Sequence, residues 1–340
     1  MRIWTCSARR GTFQNTFRPP SAWRHVSHQI SPAPGRFVDI GTHRLHLHCA
    51  GEGAPTVVFD AALGASSLSW SLVHPQVARV TRACPYDRAG FGWSEAGPLP
   101  RTAGRIADEL HQLLQRGAVP GPYVLVGHSF GGLVMRIFTS RHPEKVAGLV
   151  LIEPAIPEEW ASPTPEQQAL IRRGVRLCRY GSSAARSGVA GLVSLLVKLR
   201  ALSVARAMVA IVSRGSLRRE DEGILAPIWK LPPEARRVLG RMWTRPQFFE
   251  ALGSQIEHVC DSATDLLRGT GEHLGNLPLI VISSATAHKG RIAADLALAQ
   301  RSRHGRHILA PDSGHWVPLD APQVVVDAIV EIVNRTRTMR

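Results

Sequence analysis

The chain of 340 residues has no apolar run that is both long and free of charge. Its longest such stretch, Gly188 to Val212, is broken by Lys198, Arg200 and Arg206, and three charges in one span disfavour a lipid-buried helix. Paired cysteine motifs are also missing. Cys6, Cys49, Cys84, Cys178 and Cys260 are odd in number and far apart, with no C-x-x-C. That spacing argues against a disulfide framework and a structural zinc site, and leads to the expectation of a reducing, cytoplasmic setting. No H-E-x-x-H or similar spacing occurs among the 15 histidines, so neither a metal nor another cofactor is expected. Aromatic residues make up only 6% and are not interleaved with the basic ones. A net charge of +15 invites a nucleic-acid reading, but its distribution does not support one. Six arginines and no acid fall within residues 1 to 38, and Arg335, Arg337 and Arg340 crowd the other end. The remaining basic residues are scattered without the stripe that a nucleic-acid groove needs, so no nucleic-acid partner is expected.

What is present is the composition of a globular protein, 44% hydrophobic and 20% charged, with enough chain to bury a large core. The basic residues 1 to 36 lack the apolar segment of a secretory signal. They read as a disordered extension, with a transit peptide or contact with an anionic membrane surface as alternatives. From residue 37 the pattern is that of strands alternating with helices. "FVDIG" and "RLHLHCA" alternate apolar and polar residues around a Gly-Thr-His turn, as a hairpin does. "TVVFDA", "PYVLVG", "VAGLVLIEP" and "LPLIVISS" are short unbroken apolar runs, expected of strands covered on both faces. Helical spacing separates them, as in "AGRIADELHQLLQ". Such alternation predicts an α/β fold built on a mostly parallel sheet. Residues 157 to 276 depart from it: they show helical periodicity, many arginines and no covered strand, and read as a helical insertion between core segments 37 to 156 and 277 to 340. Leu192, Leu195, Leu196, Leu199 and Leu202 follow one helical stripe there, which fits a core-facing side or an acyl-chain surface.

The stretch "LVGHSFGGL", Leu125 to Leu133, sets Ser129 between glycines at the exit of a covered strand and the start of a helix. A strand-to-helix elbow of this kind lifts a serine hydroxyl above the carboxyl edge of the sheet, where the helix amides point at developing negative charge. A serine nucleophile needs a base. Among the histidines, position selects His315 in "PDSGHWVPLD", between the last short strand and the closing helix, because reactive groups in open α/β sheets gather at the carboxyl ends of strands.

Together, "GHSFGG", "YDRAGFGWS" (Tyr86 to Ser94) and "SGHWVPLD" resemble the α/β-hydrolase fold superfamily, serine esterases and lipases with a helical cap, over roughly residues 37 to 335. The resemblance implies an eight-stranded, mostly parallel sheet flanked by helices, a cap formed by the insertion, and a Ser-His-acid triad. The acid departs from the commonest arrangement. Family members usually carry it just after the strand that is here Leu277 to Ser284, yet the following "ATAHKG" has no carboxylate. Glu153, at the end of the strand after the nucleophile, is the leading candidate, with Asp295 and the loop residue Asp312 as alternatives. If Glu153 serves, its carboxylate is expected within about 3.2 Å of a His315 ring nitrogen. By the same resemblance the oxyanion hole comes from the backbone N–H groups of Phe130 and of Leu63 in "DAALGASS", where Ala61-Ala62 replaces the more usual His-Gly. The glycines of "DRAGFGWS" are read as a tight turn beneath the site.

These features imply a serine hydrolase acting on a small apolar carboxylic ester or related acyl compound through an acyl-enzyme. An amidase or aminopeptidase, with Glu158, Glu159 or Glu220 holding a substrate amine, is one alternative. A receptor-like ligand-binding protein of the same fold is the other.

Overall fold

The computed structural model describes residues 33 to 192, 229 to 269 and 274 to 338. Residues 1 to 32, the leucines at 195 to 202, and Glu220 lie outside them.

The chain enters with the hairpin strands β1 (Arg36–Asp39) and β2 (Arg44–Leu47), which pair antiparallel. The sheet proper follows: β3 (Thr56–Asp60), β4 (Ala83–Pro85), β5 (Tyr123–His128), β6 (Val146–Ile152), β7 (Leu279–Ser284) and β8 (Gly305–Ala310). Their order across the sheet is β4-β3-β5-β6-β7-β8, and every pairing is parallel. Among the described residues the expectation of one eight-stranded sheet is therefore corrected to six parallel strands plus an antiparallel pair. The second hairpin strand and the residues after it run antiparallel beside the β4 region, through the bridges Leu47 with Tyr86 and Ala50 with Ala83 and the backbone bonds His48 N–H to Pro85 O and Asp87 N–H to His46 O, both at 3.0 Å. This contact ends where the chain turns at Gly51 (φ 75°) and Gly53 (φ 101°) before β3 begins.

The α-helices among the described residues are α1 (His74–Val77), α2 (Ala103–Arg116), α3 (Phe130–Arg141), α4 (Pro157–Ala161), α5 (Pro165–Arg186), α6 (Pro233–Met242), α7 (Pro246–Glu257), α8 (Val259–Arg268), α9 (Lys289–Ala299), α10 (Val317–Asp320) and α11 (Pro322–Thr338). Side chains on a strand alternate between faces, and that alternation divides the core in two. Val58, Leu125, Leu149, Leu151 and Val281 pack with Ile106, Leu110 and Leu113 of α2 and Leu133 and Ile137 of α3. Phe59, Val124, Val126, Val150, Ile152, Ile280 and Ile282 pack on the other side with Val77 of α1 and Val325, Ile329 and Ile332 of α11. Because both faces are covered, the central strands carry apolar residues at consecutive positions, which is why they read as unbroken runs.

Helix ends follow local chemistry. The Thr102 hydroxyl accepts from the Arg105 N–H to cap α2, and Thr164 with Gln167 closes a capping box before Pro165 at the start of α5. The described residues between β6 and β7 contain helices and no strand. The insertion is held to the core by backbone donors: Arg101 N–H to Ser254 Oγ and Ala103 N–H to Ser262 Oγ, both at 2.9 Å. Among the described residues no helix is long and apolar enough to cross a membrane.

Cys49 and Cys84 form a disulfide with sulfurs 2.07 Å apart, which corrects the reading of unlinked cysteines. Ala50 and Ala83 exchange two backbone hydrogen bonds at 2.9 Å. That short antiparallel contact, formed by tertiary folding, places their neighbours side by side. The bond therefore follows from a pairing that no spacing in the sequence announces.

Candidate active site

Ser129 occupies the turn between β5 and α3 with φ 54° and ψ −117°, a conformation that a non-glycine residue adopts at a cost. Two neighbours permit it. A β-carbon on Gly127 would lie 2.6 Å from the Gly131 carbonyl, and one on Gly131 would lie 2.4 Å from the Asp60 carbonyl. Only hydrogen fits at either place. The turn is stitched to the adjoining strand end: Ser129 N–H donates to Ile152 O at 2.9 Å, and Ala155 N–H donates to Ser129 O at 3.1 Å. The serine side of the site and the end of β6 are thereby one rigid edge.

Glu153 lies at that edge, buried to 6% exposure and also in the left-handed region with φ 46°. Its N–H donates to Ile282 O of β7 at 2.8 Å, and its Oε1 accepts from the Ser284 N–H at 2.6 Å. Its Oε2 stands 3.1 Å from His315 Nδ1, inside the distance expected from the sequence. Burial alone would raise the Glu153 carboxyl. The bonds from His315 and Ser284, with Arg291 nearby, outweigh it and hold the carboxyl below its ordinary value. As a carboxylate it can accept from the Nδ1–H of His315, which leaves Nε2 as the basic nitrogen.

His315 comes from the loop before α10, and its side chain is 45% exposed. The residue before the elbow anchors this loop. His128 Nε2–H donates to the His315 carbonyl at 2.8 Å, and the two rings lie 5.1 Å apart. Full burial, helped by the charge of His315, pushes the His128 imidazole down to about 3, so it stays neutral and cannot compete as a base. Trp316 packs edge-on against His128 at 5.3 Å. The Ser284 hydroxyl donates to Ser313 O on the same loop.

The alternative acids are placed elsewhere. Asp295, on α9, is 1% exposed and accepts from Ser283 Oγ at 2.7 Å and Arg291 Nε at 2.9 Å. Arg291 in turn donates through Nη2 to Pro154 O, beside Glu153. Asp295 thus supports the acid's backbone from behind. Asp312 is exposed at the loop tip.

Leu63 and Phe130, the expected oxyanion donors, lie on the loop after β3 and at the first residue of α3. Neither N–H has an acceptor among the described residues. The loop is fastened by "DRAGFGWS", which is more than a turn. Asp87 Oδ1 accepts from the Ser67 N–H at 2.7 Å, and Arg88 Nε donates to Asp60 Oδ1 at 2.7 Å. Asp87 also accepts from His46 Nδ1 at 2.8 Å with both side chains fully buried. Sequence reasoning missed Ser284, Arg291, His128 and Arg88. The one available signal was the charged pair Asp87-Arg88 directly after a covered strand, where a solvated charge is out of place. Among the described residues no cluster of three or more His, Cys, Asp or Glu could hold a metal.

A strained serine lies at a strand-to-helix elbow of a six-stranded parallel sheet, and the residue before it holds a histidine-bearing loop. The pattern of the alpha/beta hydrolase fold family matches residues 55–175. The chain has the alpha/beta hydrolase fold. Over 127 residues, 36% of this hydrolase-fold chain and 44% of its relative, it is 34% identical to the 2-hydroxymuconate semialdehyde hydrolase of Pseudomonas sp. (strain CF600). The curated relatives are matched over less than half their length. Among solved structures, a thermophilic esterase from Thermogutta terrifontis superimposes with TM-score 0.61 at 20% identity, over 89% of this chain and 99% of the esterase. The epoxide hydrolase CorEH superimposes with TM-score 0.65 at 18% identity, over 88% and 98%.

Proposed function

We propose that the protein is a serine hydrolase that cleaves uncharged carboxylic esters with a small apolar acyl part through an acyl-enzyme. The observation that carries this reading is the Glu153 carboxylate 3.1 Å from His315 Nδ1, with the strained Ser129 elbow stitched to the same strand edge. His315 Nε2 takes the Ser129 proton as Oγ attacks the acyl carbon, and the resulting oxyanion receives the N–H groups of Phe130 and Leu63. Collapse expels the alcohol, which takes the proton back from Nε2. Water, activated by the same nitrogen, then hydrolyses the Ser129 ester and restores the hydroxyl. Glu153 keeps the imidazole in the tautomer that presents Nε2 as base, and stabilises its cation.

The serine separates this reading from epoxide hydrolysis and dehalogenation, in which a carboxylate must form an alkyl ester with the substrate. The surroundings favour an apolar acyl group. Leu63 is partly buried, and Leu252 of α7 lies against Gly64 of the oxyanion loop, 3.3 Å from where a β-carbon would stand. Against an aminopeptidase, Glu158 is exposed and pairs with Arg301 at 3.4 Å, so it is not a free carboxylate awaiting an amine.

A series of p-nitrophenyl esters from acetate to long chains tests the reading. Turnover with a pre-steady-state burst of about one p-nitrophenol per chain is expected. A folded protein that turns over no ester, yet binds one of them tightly, would support the receptor-like alternative. One that cleaves a matched anilide faster than its ester would establish the amidase.

A further inference from the structure

Arg88 is 2% exposed, and its guanidinium hydrogen bonds and ring contact fall on the two segments that carry the oxyanion donors. Nε donates to Asp60 Oδ1 at 2.7 Å, Nη2 to the Ala61 carbonyl, and Nη1 to the Ala62 carbonyl at 3.4 Å. Those acceptors sit on the three residues before Leu63. On its other side the guanidinium carbon lies 5.1 Å from the centre of the Phe130 ring, a cation-π distance. A buried cation costs several kcal/mol unless paired and fully hydrogen-bonded. Asp60, itself 1% exposed, supplies the charge partner, and the two carbonyls occupy the rest of the fork.

A peptide unit is planar and trans, so its C=O and N–H point in opposite directions. The carbonyl of Ala62 and the N–H of Leu63 belong to one peptide. A donor that holds the carbonyl on one face of the loop therefore turns the Leu63 N–H to the other face. The Ala65 N–H shares the Ala62 carbonyl from within the loop at 3.1 Å, whereas Arg88 ties that carbonyl and Ala61 O to Asp60 and to the Phe130 ring outside it. Asp87 fixes the far end of the same loop at Ser67.

We propose that Arg88 is the positioning residue of the oxyanion hole: it turns the Leu63 N–H toward Ser129 by gripping the preceding carbonyls, and it locks that loop to Phe130. The inference rests on the serine-hydrolase reading above. Arg88 touches no reacting atom, and its effect is on the transition-state oxyanion rather than on substrate binding.

The test compares an ester with its thionoester, in which the carbonyl oxygen is replaced by sulfur, a weak hydrogen-bond acceptor that gains little from the hole. In Arg88→Gln, kcat for the ester is expected to fall by about 10- to 100-fold, somewhat less than removal of a whole donor, with KM changed little. The thionoester rate should fall much less, so that the ester-to-thionoester ratio shrinks by roughly tenfold. Both rates come from one sample, so any unfolded fraction divides out. Arg88→Lys, which keeps the charge but cannot serve Asp60 and two carbonyls at once, guards against a Gln variant that fails to fold and should shift the ratio in the same direction. A ratio unchanged in the folded variants overturns the role of Arg88 and leaves the triad intact. Wild-type protein that forms no covalent adduct at Ser129 overturns the hydrolase reading and this inference together.

Discussion

Two buried carboxylates stand behind the same edge of the sheet and do different things. Glu153 is the first residue after β6, and Asp295 lies on α9, beyond the end of β7. Both are within reach of Arg291, and both were candidates to orient His315. Glu153 leaves its strand with φ 46°, its backbone bonded to β7 and its carboxylate facing the histidine loop. Asp295 is anchored to Ser283 and Arg291 and faces inward. Position at a strand end, rather than acidity or nearness in sequence, separates the acid that meets the histidine from the acid that supports it. Ser284, the last residue of β7, donates its N–H to Glu153, so the strand next to β6 helps hold that carboxylate.

The strongest way to break this comparison is to exchange the roles by mutation. Glu153→Gln should keep the fold and lower kcat by roughly two to four orders of magnitude, because the wrong imidazole tautomer becomes favoured, whereas Asp295→Asn should leave kcat within about tenfold. A large loss with Asp295→Asn and a small one with Glu153→Gln, measured on one ester, would reverse the assignment.

A place remote from both acids provides a control. The Cys49–Cys84 bond closes a sequence separation of 35 residues at the opposite side of the sheet. Reduction should lower stability by about 2–4 kcal/mol on loop-closure grounds while kcat stays unchanged. Denaturant melts with and without a reductant check the first part, and a kcat that falls in step with reduction would contradict the second.

Asp295→Asn then sharpens the contrast through stability. Removing the charge that pairs with Arg291 should cost about 1–3 kcal/mol in a denaturant melt. A melt indistinguishable from wild type would show that Asp295 is not a structural support.

The smallest effect is in pH dependence. The Glu153 carboxyl is held below its ordinary value of 4.5, so its ionised form stabilises the fold. That contribution is fully present above about pH 4.5 and is lost as the pH falls through the lower, folded value. Glu153→Gln cannot lose it. The stability difference between wild type and this variant should therefore be constant from pH 7 down to about 5 and shift against wild type in more acidic buffer. A difference flat across that whole range would mean that Glu153 gains nothing from its partners.

Much of the core was legible because burial on both faces leaves an unmistakable trace: "TVVFDA" and "VAGLVLIEP" are apolar at consecutive positions, and β3 and β6 fall where those runs lie. The elbow was legible because crowding there demands glycine on both sides of Ser129. Other features depend on pairings between distant segments. The contact of Arg291 with Pro154 spans 137 positions, that of Ser284 with Glu153 spans 131, and the cysteine pair follows from a bridge between Ala50 and Ala83. The strand count erred for a related reason, since a hairpin reads the same whether or not it joins the main ladder. Arg88 left one trace, a charge directly after a covered strand, but its partners Asp60 to Ala62 and Phe130 lie too far off in sequence to be read from it.

The most direct test of the central claim is covalent. Folded protein treated with a fluorophosphonate probe should acquire one adduct, found by peptide mapping on Ser129, slowed in Glu153→Gln and absent in Ser129→Ala. Failure to label under conditions that label a control esterase, or an adduct confined to another residue, would contradict the account.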